Sequence, residues 1–313
     1  MDLSRNVRIR PLQEDDASEV VRLYDAASHR DAGMGPISHT QWTSFIGRPH
    51  NHGGRDFRIA VRDDKIVGLA ESSLRDQNGQ RVRFFKLLVE PSMRCQRIGT
   101  ALIAELLSLD TLADDLSFQA LVANQWTDGI AFLEAFGFCH IESELSMRCS
   151  TLVRLQQTLD VGIVVEQTLT PAVYAENVAR IHNTAFATDV AFRAYSSDEM
   201  AKILDEDEQE LWIIRDAAAV LGYCRLEREP GQTWLEEIAI DPAYHGRGLG
   251  RLLVYQALQR MEIDREHPVC LNVSSINRSA LSLYQRLGFV ISNEKLRYSA
   301  RQVDLKERVQ TKS

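Results

Sequence analysis

The feature that most constrains this 313-residue chain is that it repeats itself. Pro91 and Pro242, Gly99 and Gly250, and Gly137-Phe138 and Gly288-Phe289 stand 151 positions apart in one common register. Upstream, Arg62-Asp63 before Gly68 answers Arg215-Asp216 before Gly222, with the offset drifting by a few positions as loops of unequal length require. Several landmarks in one order point to duplication of a whole domain, and the length suits two cores of ordinary size. Each copy reads as a strand, a helical region, a hairpin, a long apolar strand, a helix, a strand, a helix and a closing strand. The expected class is mixed α/β: two tandem domains, each a central mixed, mostly antiparallel sheet flanked by helices. The domains are expected at 1–150 and 161–313, with the boundary near Ser150 to Val161 and a polar tail over Gln302 to Ser313.

The second copy carries the chemically informative segment. Its apolar strand, ending Ile238-Ala239-Ile240, runs through Asp241-Pro242-Ala243-Tyr244 into His245-Gly246-Arg247-Gly248-Leu249-Gly250-Arg251, where a helix begins. Glycines let a backbone approach an anion closely. The first amides of a helix and its positive dipole end then suit phosphate oxygens, with Arg247 and Arg251 adding charge. A nucleotide P-loop would require a Gly-Lys-Ser/Thr ending, and a dinucleotide fingerprint would require its glycines directly after the strand. Neither pattern is present.

The spacing instead resembles the GNAT superfamily of N-acetyltransferases, whose Gln/Arg-x-x-Gly-x-Gly/Ala motif is matched with His245 in its first position. Downstream, Asn277, Ala280, Tyr284 and Gly288-Phe289 follow the superfamily's second motif, an Asn after a strand and a Tyr on the next helix. The resemblance implies acetyl-CoA as acetyl donor. It implies that the main chain of Ile238, Ala239 and Ile240 holds the pantetheine arm, that His245, Gly246, Arg247, Gly248, Leu249, Gly250 and Arg251 wrap the pyrophosphate, and that Asn277 helps hold the pantetheine. The duplicated layout resembles tandem GNAT proteins of the mycothiol synthase type over nearly the whole chain. No residue establishes recognition of that family's cysteinyl glucosaminyl inositol substrate.

Acetyl transfer to an amine needs a neutral nucleophile, alignment, an oxyanion donor and a proton for the departing thiolate. By the same resemblance Tyr284 is the expected proton donor, and a main-chain amide of the splayed strand the oxyanion donor. Many relatives carry a glutamate six residues before the strand's last apolar residue, where this chain has Trp234. Glu236 keeps the strand parity and is the first candidate base, directly or through water; Glu237 replaces it if a bulge reverses the parity. In the first copy Arg97 replaces one motif glycine and Leu133 stands where Tyr284 does, so that copy is expected to be catalytically silent.

Other chemistries are weaker. The five cysteines lack CxxC spacing and read as free thiols, with neither Cys224 nor Cys270 beside a partner that suggests an activated nucleophile. His50-Asn51-His52 sits in a Gly- and Asn-rich loop without a third ligand, so no metal is expected, and His182 reads as a packed or surface histidine. A formal charge of -8 without a clustered basic surface disfavours nucleic acid. The absence of about 18 consecutive apolar residues and of a secretory h-region points away from membranes and toward the cytoplasm. The leading reading is an N-acetyltransferase acting on a small-molecule primary amine by direct attack in a ternary complex, as monomer or homodimer. A peptide or protein N-acetyltransferase and a non-catalytic acetyl-CoA-binding protein are the alternatives.

Overall fold

The computed structural model describes residues 7–31, 35–47, 51–77, 80–109, 116–154, 162–188, 192–206 and 209–312. In chain order the first copy contributes β1 (Arg8–Pro11), α1 (Ala17–Ser28), α2 (His39–Gly47), α3 (Gly53–Asp56), β2 (Arg58–Arg62), β3 (Lys65–Gln77), β4 (Gln80–Val89), α4 (Ile98–Ser108), β5 (Ser117–Ala123), α5 (Thr127–Ala135) and β6 (Cys139–Cys149). The second copy follows with β7 (Val164–Thr168), α6 (Ala175–Ala185), α7 (Ser197–Leu204), β8 (Gln209–Arg215), β9 (Val220–Glu229), β10 (Gln232–Ile240), α8 (Leu249–Leu258), β11 (Val269–Ser274), α9 (Arg278–Leu287) and β12 (Val290–Arg301). A final helix, α10 (Gln302–Lys312), ends the described chain.

Two compact units result, one of Met1–Glu142 with Lys295–Ser313, the other of Ser143–Glu294. In the first, β1 to β4 pair antiparallel in sequence, β4 pairs parallel with β5, and residues 295–301 of β12 close the sheet antiparallel to β5. In the second, β7 to β10 repeat the antiparallel run, β10 pairs parallel with β11, and residues 144–149 of β6 close antiparallel to β11. Each unit is thus a mixed, mostly antiparallel sheet. A sequential cut near residue 150 differs from these units because each takes its closing strand from the other copy's sequence. Two copies of one fold offer equivalent strand edges, so such an exchange preserves the same pairing chemistry.

Strand alternation explains the two-sided burial. In β8, Trp212 and Ile214 join the core beneath α8 and α9, whereas Leu211 and Ile213 join the core beneath α6 and α7. The first unit repeats the pattern, with Ile59 and Leu69 in one core and Ala60 and Ala70 in the other. The expected polar tail over Gln302 to Ser313 is instead helix α10: Leu305 and Val309 are buried, and Gln302 Nε2 donates to Leu107 O at 3.1 Å. Apolar residues four apart supply one buried stripe on an otherwise polar helix. Of the expected inter-domain boundary, residues 155–161 lie outside the described residues, as do Met1 to Asn6 and His50. Among the described residues no helix is long and apolar enough to cross a membrane, and no three His, Cys, Asp or Glu side chains form a metal-holding group.

Candidate active site

Strands β10 and β11 begin side by side and then part. Their parallel register covers Thr233 with Val269 and Trp234 with Cys270, whereas on its other side β10 remains paired with β9 as far as Ile240. From Leu235 onward the β11-facing edge of β10 carries main-chain donors and acceptors that the β10–β11 ladder does not use. Backbone groups of this kind are costly unless another polar group meets them. Ile238, Ala239 and Ile240, the residues expected to bind by main chain, lie in this stretch, where the main-chain groups of alternate residues face the open edge.

At the end of β10 the chain is pinned rather than loose. Asp241 accepts from Ala243 N at 3.0 Å and from Arg180 Nη1 at 2.6 Å, and Arg180 and Ala243 together hold its carboxyl below the usual carboxylate range. His245 Nε2 lies 2.9 Å from Ile240 O, so the ring N–H ties the loop back to the strand end. Gly246 and Gly248 then adopt left-handed φ values of 78° and 73°, which other residues occupy at a cost. Gly248 is the N-cap of α8 and supplies no side-chain cap. The first amides of α8 therefore point out of an uncapped, positively polarised helix end, with Arg247 exposed and Arg251 half-buried beside it.

The second motif is built into α9. Asn277 is its N-cap, with Oδ1 accepting from Ala280 N at 3.1 Å. Two turns on, Tyr284 is buried against Phe289, ring centroids 5.7 Å apart. Burial and the neighbouring Cys224 push its phenol above the ordinary value, so the hydroxyl keeps its proton through neutral pH. Cys224 is itself fully buried with its thiol raised by burial, which removes it as a thiolate nucleophile.

Between these elements β10 carries a bulge. Leu235 pairs with Leu226 and Glu237 with Arg225, leaving Glu236 as the extra residue. The bulge reverses the strand parity: Leu235, Ile238 and Ile240 pack on one core and Ala239 on the other, so Glu237 takes the face of Trp234, the condition under which it is the alternative base. Glu236 is exposed as a residue, yet partial burial of its carboxyl, reinforced by Glu227, Glu229 and Glu237 against the pull of Arg225, raises it above the ordinary carboxylate value. Glu237 goes the opposite way. Burial would raise it, but His182, Arg225 and Tyr223 outweigh that and hold it low. His182 Nδ1 lies 2.5 Å from Glu237 Oε1, Arg225 Nε lies 3.9 Å from Oε2, and Tyr223 donates its hydroxyl to the carboxylate. The bulge thus separates adjacent glutamates into one raised, outward carboxyl and one low, enclosed carboxylate. Trp234, at the last paired position before the parting, donates Nε1 to Glu229 at 2.9 Å.

The pairing of His182 with Glu237 is what sequence reasoning missed. The histidine is the packed alternative of the two expected, and Phe186, Phe192 and Tyr195 surround it with ring centroids at 5.0 to 5.9 Å. The aromatic residues clustered after position 182 were the available signal.

The first unit retains the backbone path with different side chains. Cys95 and Arg97, at the positions of Gly246 and Gly248, adopt left-handed φ values of 60° and 62°. The sequence shows Arg97 for a glycine, and the structure adds Cys95 as a second such replacement. Strands β4 and β5 also part, after Phe84 and Gln119. A cavity of about 570 Å³ lies over this loop, lined by Val89, Arg94, Arg97, Trp126 and Phe132 among others. Lys86 occupies the position of Glu237, and Leu133, buried, that of Tyr284.

Comparison with known proteins places this geometry in company. The model of the acetyltransferase (GNAT) family matches residues 18–138 and again 176–289. The chain is 29% identical over 306 residues to a mycothiol acetyltransferase of Nocardia farcinica, covering 92% of this chain and 95% of that protein. It is 25% identical to the mycothiol acetyltransferase of Mycobacteroides abscessus, covering 81% and 97%. Among solved structures, a tandem GNAT protein from the clavulanic acid biosynthesis pathway superposes with TM-score 0.69 at 18% identity, covering 95% of this chain and 98% of that one. A GCN5-related N-acetyltransferase from Sphaerobacter thermophilus gives TM-score 0.68 at 17% identity, covering 95% and 96%. At these identities the structures speak for the fold.

Proposed function

The chain belongs to the acetyltransferase (GNAT) family, and from that premise we propose that it is an acetyl-CoA-dependent N-acetyltransferase whose second unit transfers an acetyl group to the primary amine of a small molecule. The observation that carries the reading is the parting of β10 from β11 beside the uncapped, glycine-shaped start of α8. An unpaired strand edge suits an amide-rich chain such as pantetheine, and the helix start with Arg247 and Arg251 suits a pyrophosphate. A Cβ added at Gly246 would meet nothing within 4 Å, so this side of the loop is open to a ligand. Asn277 stands at the head of α9, on the strand-to-helix turn where a pantetheine contact is expected.

When bound, acetyl-CoA would supply the acetyl group as a reactive thioester. The chain supplies proton handling. Glu236, with its raised carboxyl, is the base for the acceptor amine, directly or through water. Tyr284 Oη, kept protonated by burial, is the proton donor. The enclosed Glu237 is already saturated by donors and is a poorer base. The first unit lacks these groups and is assigned no turnover.

A small-molecule acceptor is favoured by the mycothiol acetyltransferase relatives, which match this chain along most of its length. Trp234, where many relatives carry their glutamate, argues for an acceptor that need not be theirs. Calorimetric titration with acetyl-CoA, repeated on Gly248→Glu, tests the reading. Loss of a site in the variant supports it, because a side chain there is strained and its charge opposes phosphate. Absence of any binding to the parent protein sinks it.

A further inference from the structure

The ion pair behind the bulge has a defined proton count. His182 Nε2 lies 2.9 Å from Arg193 O, and because a carbonyl only accepts, Nε2 carries a hydrogen. The 2.5 Å contact between Nδ1 and Glu237 Oε1 then needs a proton of its own, residing on the imidazole or on the carboxyl. In either form His182 and Glu237 together carry no net charge. Around them stand Arg225 and the Tyr223 hydroxyl from β9, while the Arg193 guanidinium is held by Glu199 at 2.9 Å and lies over the Tyr195 ring. Glu236, one residue from Glu237, faces Glu227, Glu229 and Arg225.

The first unit carries the same device with its charges inverted. The cross-strand pair Glu237 and Arg225 in β10 and β9 corresponds to Lys86 and Glu71 in β4 and β3. Tyr24 on α1 takes the place of His182 on α6: its hydroxyl bonds Glu71 and accepts from Lys86 Nζ at 2.8 Å. There the ladder runs from Gly68 opposite Val89 to Gln77 opposite Gln80 without a bulge. The extra residue Glu236 and the titratable histidine therefore occur together in one unit and are replaced together in the other. A purely structural tie between helix and strand is served by either arrangement, so the histidine version carries something more.

We infer that His182 is a positioning residue: by neutralising Glu237 it leaves the bulge residue Glu236 as the uncompensated carboxylate of the adjacent pair and sets the pH at which Glu236 takes up a proton. The inference rests on the proposed role of Glu236 as base, but its test does not. Glutamate carboxyl carbons are labelled, the Glu236 signal is identified by its loss in Glu236→Gln, and its titration is followed by NMR in the parent, His182→Gln, Glu237→Gln and the double variant. His182→Gln unmasks the Glu237 charge and raises the Glu236 titration by about half a pH unit or more. Glu237→Gln removes the nearer negative charge and lowers it by less. The double variant returns near the parent. A common midpoint in all four proteins, or shifts of the same sign in both single variants, overturns the inference; if His182→Gln does not fold, His182→Tyr, which copies the Tyr24 arrangement of the first unit, takes its place with the same upward shift expected. Turnover of an amine panel by the same samples separates the two ideas. Opposite shifts in a parent that turns over nothing sink the acetyl-transfer reading alone, whereas turnover with an unmoved Glu236 sinks this one.

Discussion

In the proposed reaction Glu236 and Tyr284 would divide one task between two environments. A base works when deprotonated, and the raised Glu236 carboxyl loses its proton only above its ordinary value of 4.5. Activity is therefore expected to fall as the pH drops through a limb lying above 4.5, and Glu236→Gln is expected to remove that limb and cut kcat by about 100-fold or more. Acetyl-CoA affinity measured on the same variant is expected to stay near the parental value, because in the proposed reaction the carboxyl serves the amine and not the pyrophosphate loop. An unchanged pH profile in Glu236→Gln would move the base elsewhere. Tyr284→Phe keeps the ring against Phe289 and deletes the hydroxyl; kcat is expected to fall by about 10- to 100-fold with little change in KM. The placement of Tyr284 on a helix headed by Asn277 was legible in the sequence because its motif is local, an Asn, a Tyr and a Gly-Phe on one turn and helix. The Glu237 and His182 pair was not legible, since its members are 55 positions apart and the bulge that splits Glu236 from Glu237 leaves no mark in strand periodicity.

At the scale of the element, the two glycine loops form a natural substitution experiment. Both keep two left-handed residues before their helix, α4 or α8, but the first copy does so with Cys95 and Arg97. A non-glycine residue in that conformation costs about 1 kcal/mol relative to glycine. Arg97→Gly is therefore expected to stabilise the protein by about that amount in a denaturant titration, and Gly248→Arg to destabilise it by a similar amount while weakening acetyl-CoA binding. A destabilised Arg97→Gly would show that the arginine makes contacts worth more than the strain. The glycine spacing was readable because φ constrains residue type directly. The retention of the same turn at Cys95 was not, because a cysteine in sequence carries no sign of a left-handed backbone.

The exchange of closing strands makes a prediction that no sequential division of the chain would make. Residues 295–313 end the chain next to the second copy in sequence, yet they belong to the first unit. There β12 pairs with β5 from Lys295 opposite Ala123 to Arg301 opposite Ser117, Gln302 N donates to Leu116 O at 2.8 Å, and Tyr298, Leu305 and Val309 are buried. Each of those three side chains contributes roughly 1.5 to 3 kcal/mol by burial. Their sum approaches the whole stability of a typical domain, about 5 to 15 kcal/mol. Duplication was legible as a repeat of landmarks, but repeats are blind to which copy a closing strand serves, because the edge it meets is equivalent in both. Deletion of residues 295–313 is therefore expected to unfold the N-terminal unit first. Hydrogen exchange would show lost protection in β4 and β5, while β8 to β10, with β9 on one side of the candidate site, stay protected and still bind acetyl-CoA. Loss concentrated in α9 and β11 instead would mean that the end of the chain stabilises its sequence neighbours, and the strand exchange would have to be abandoned.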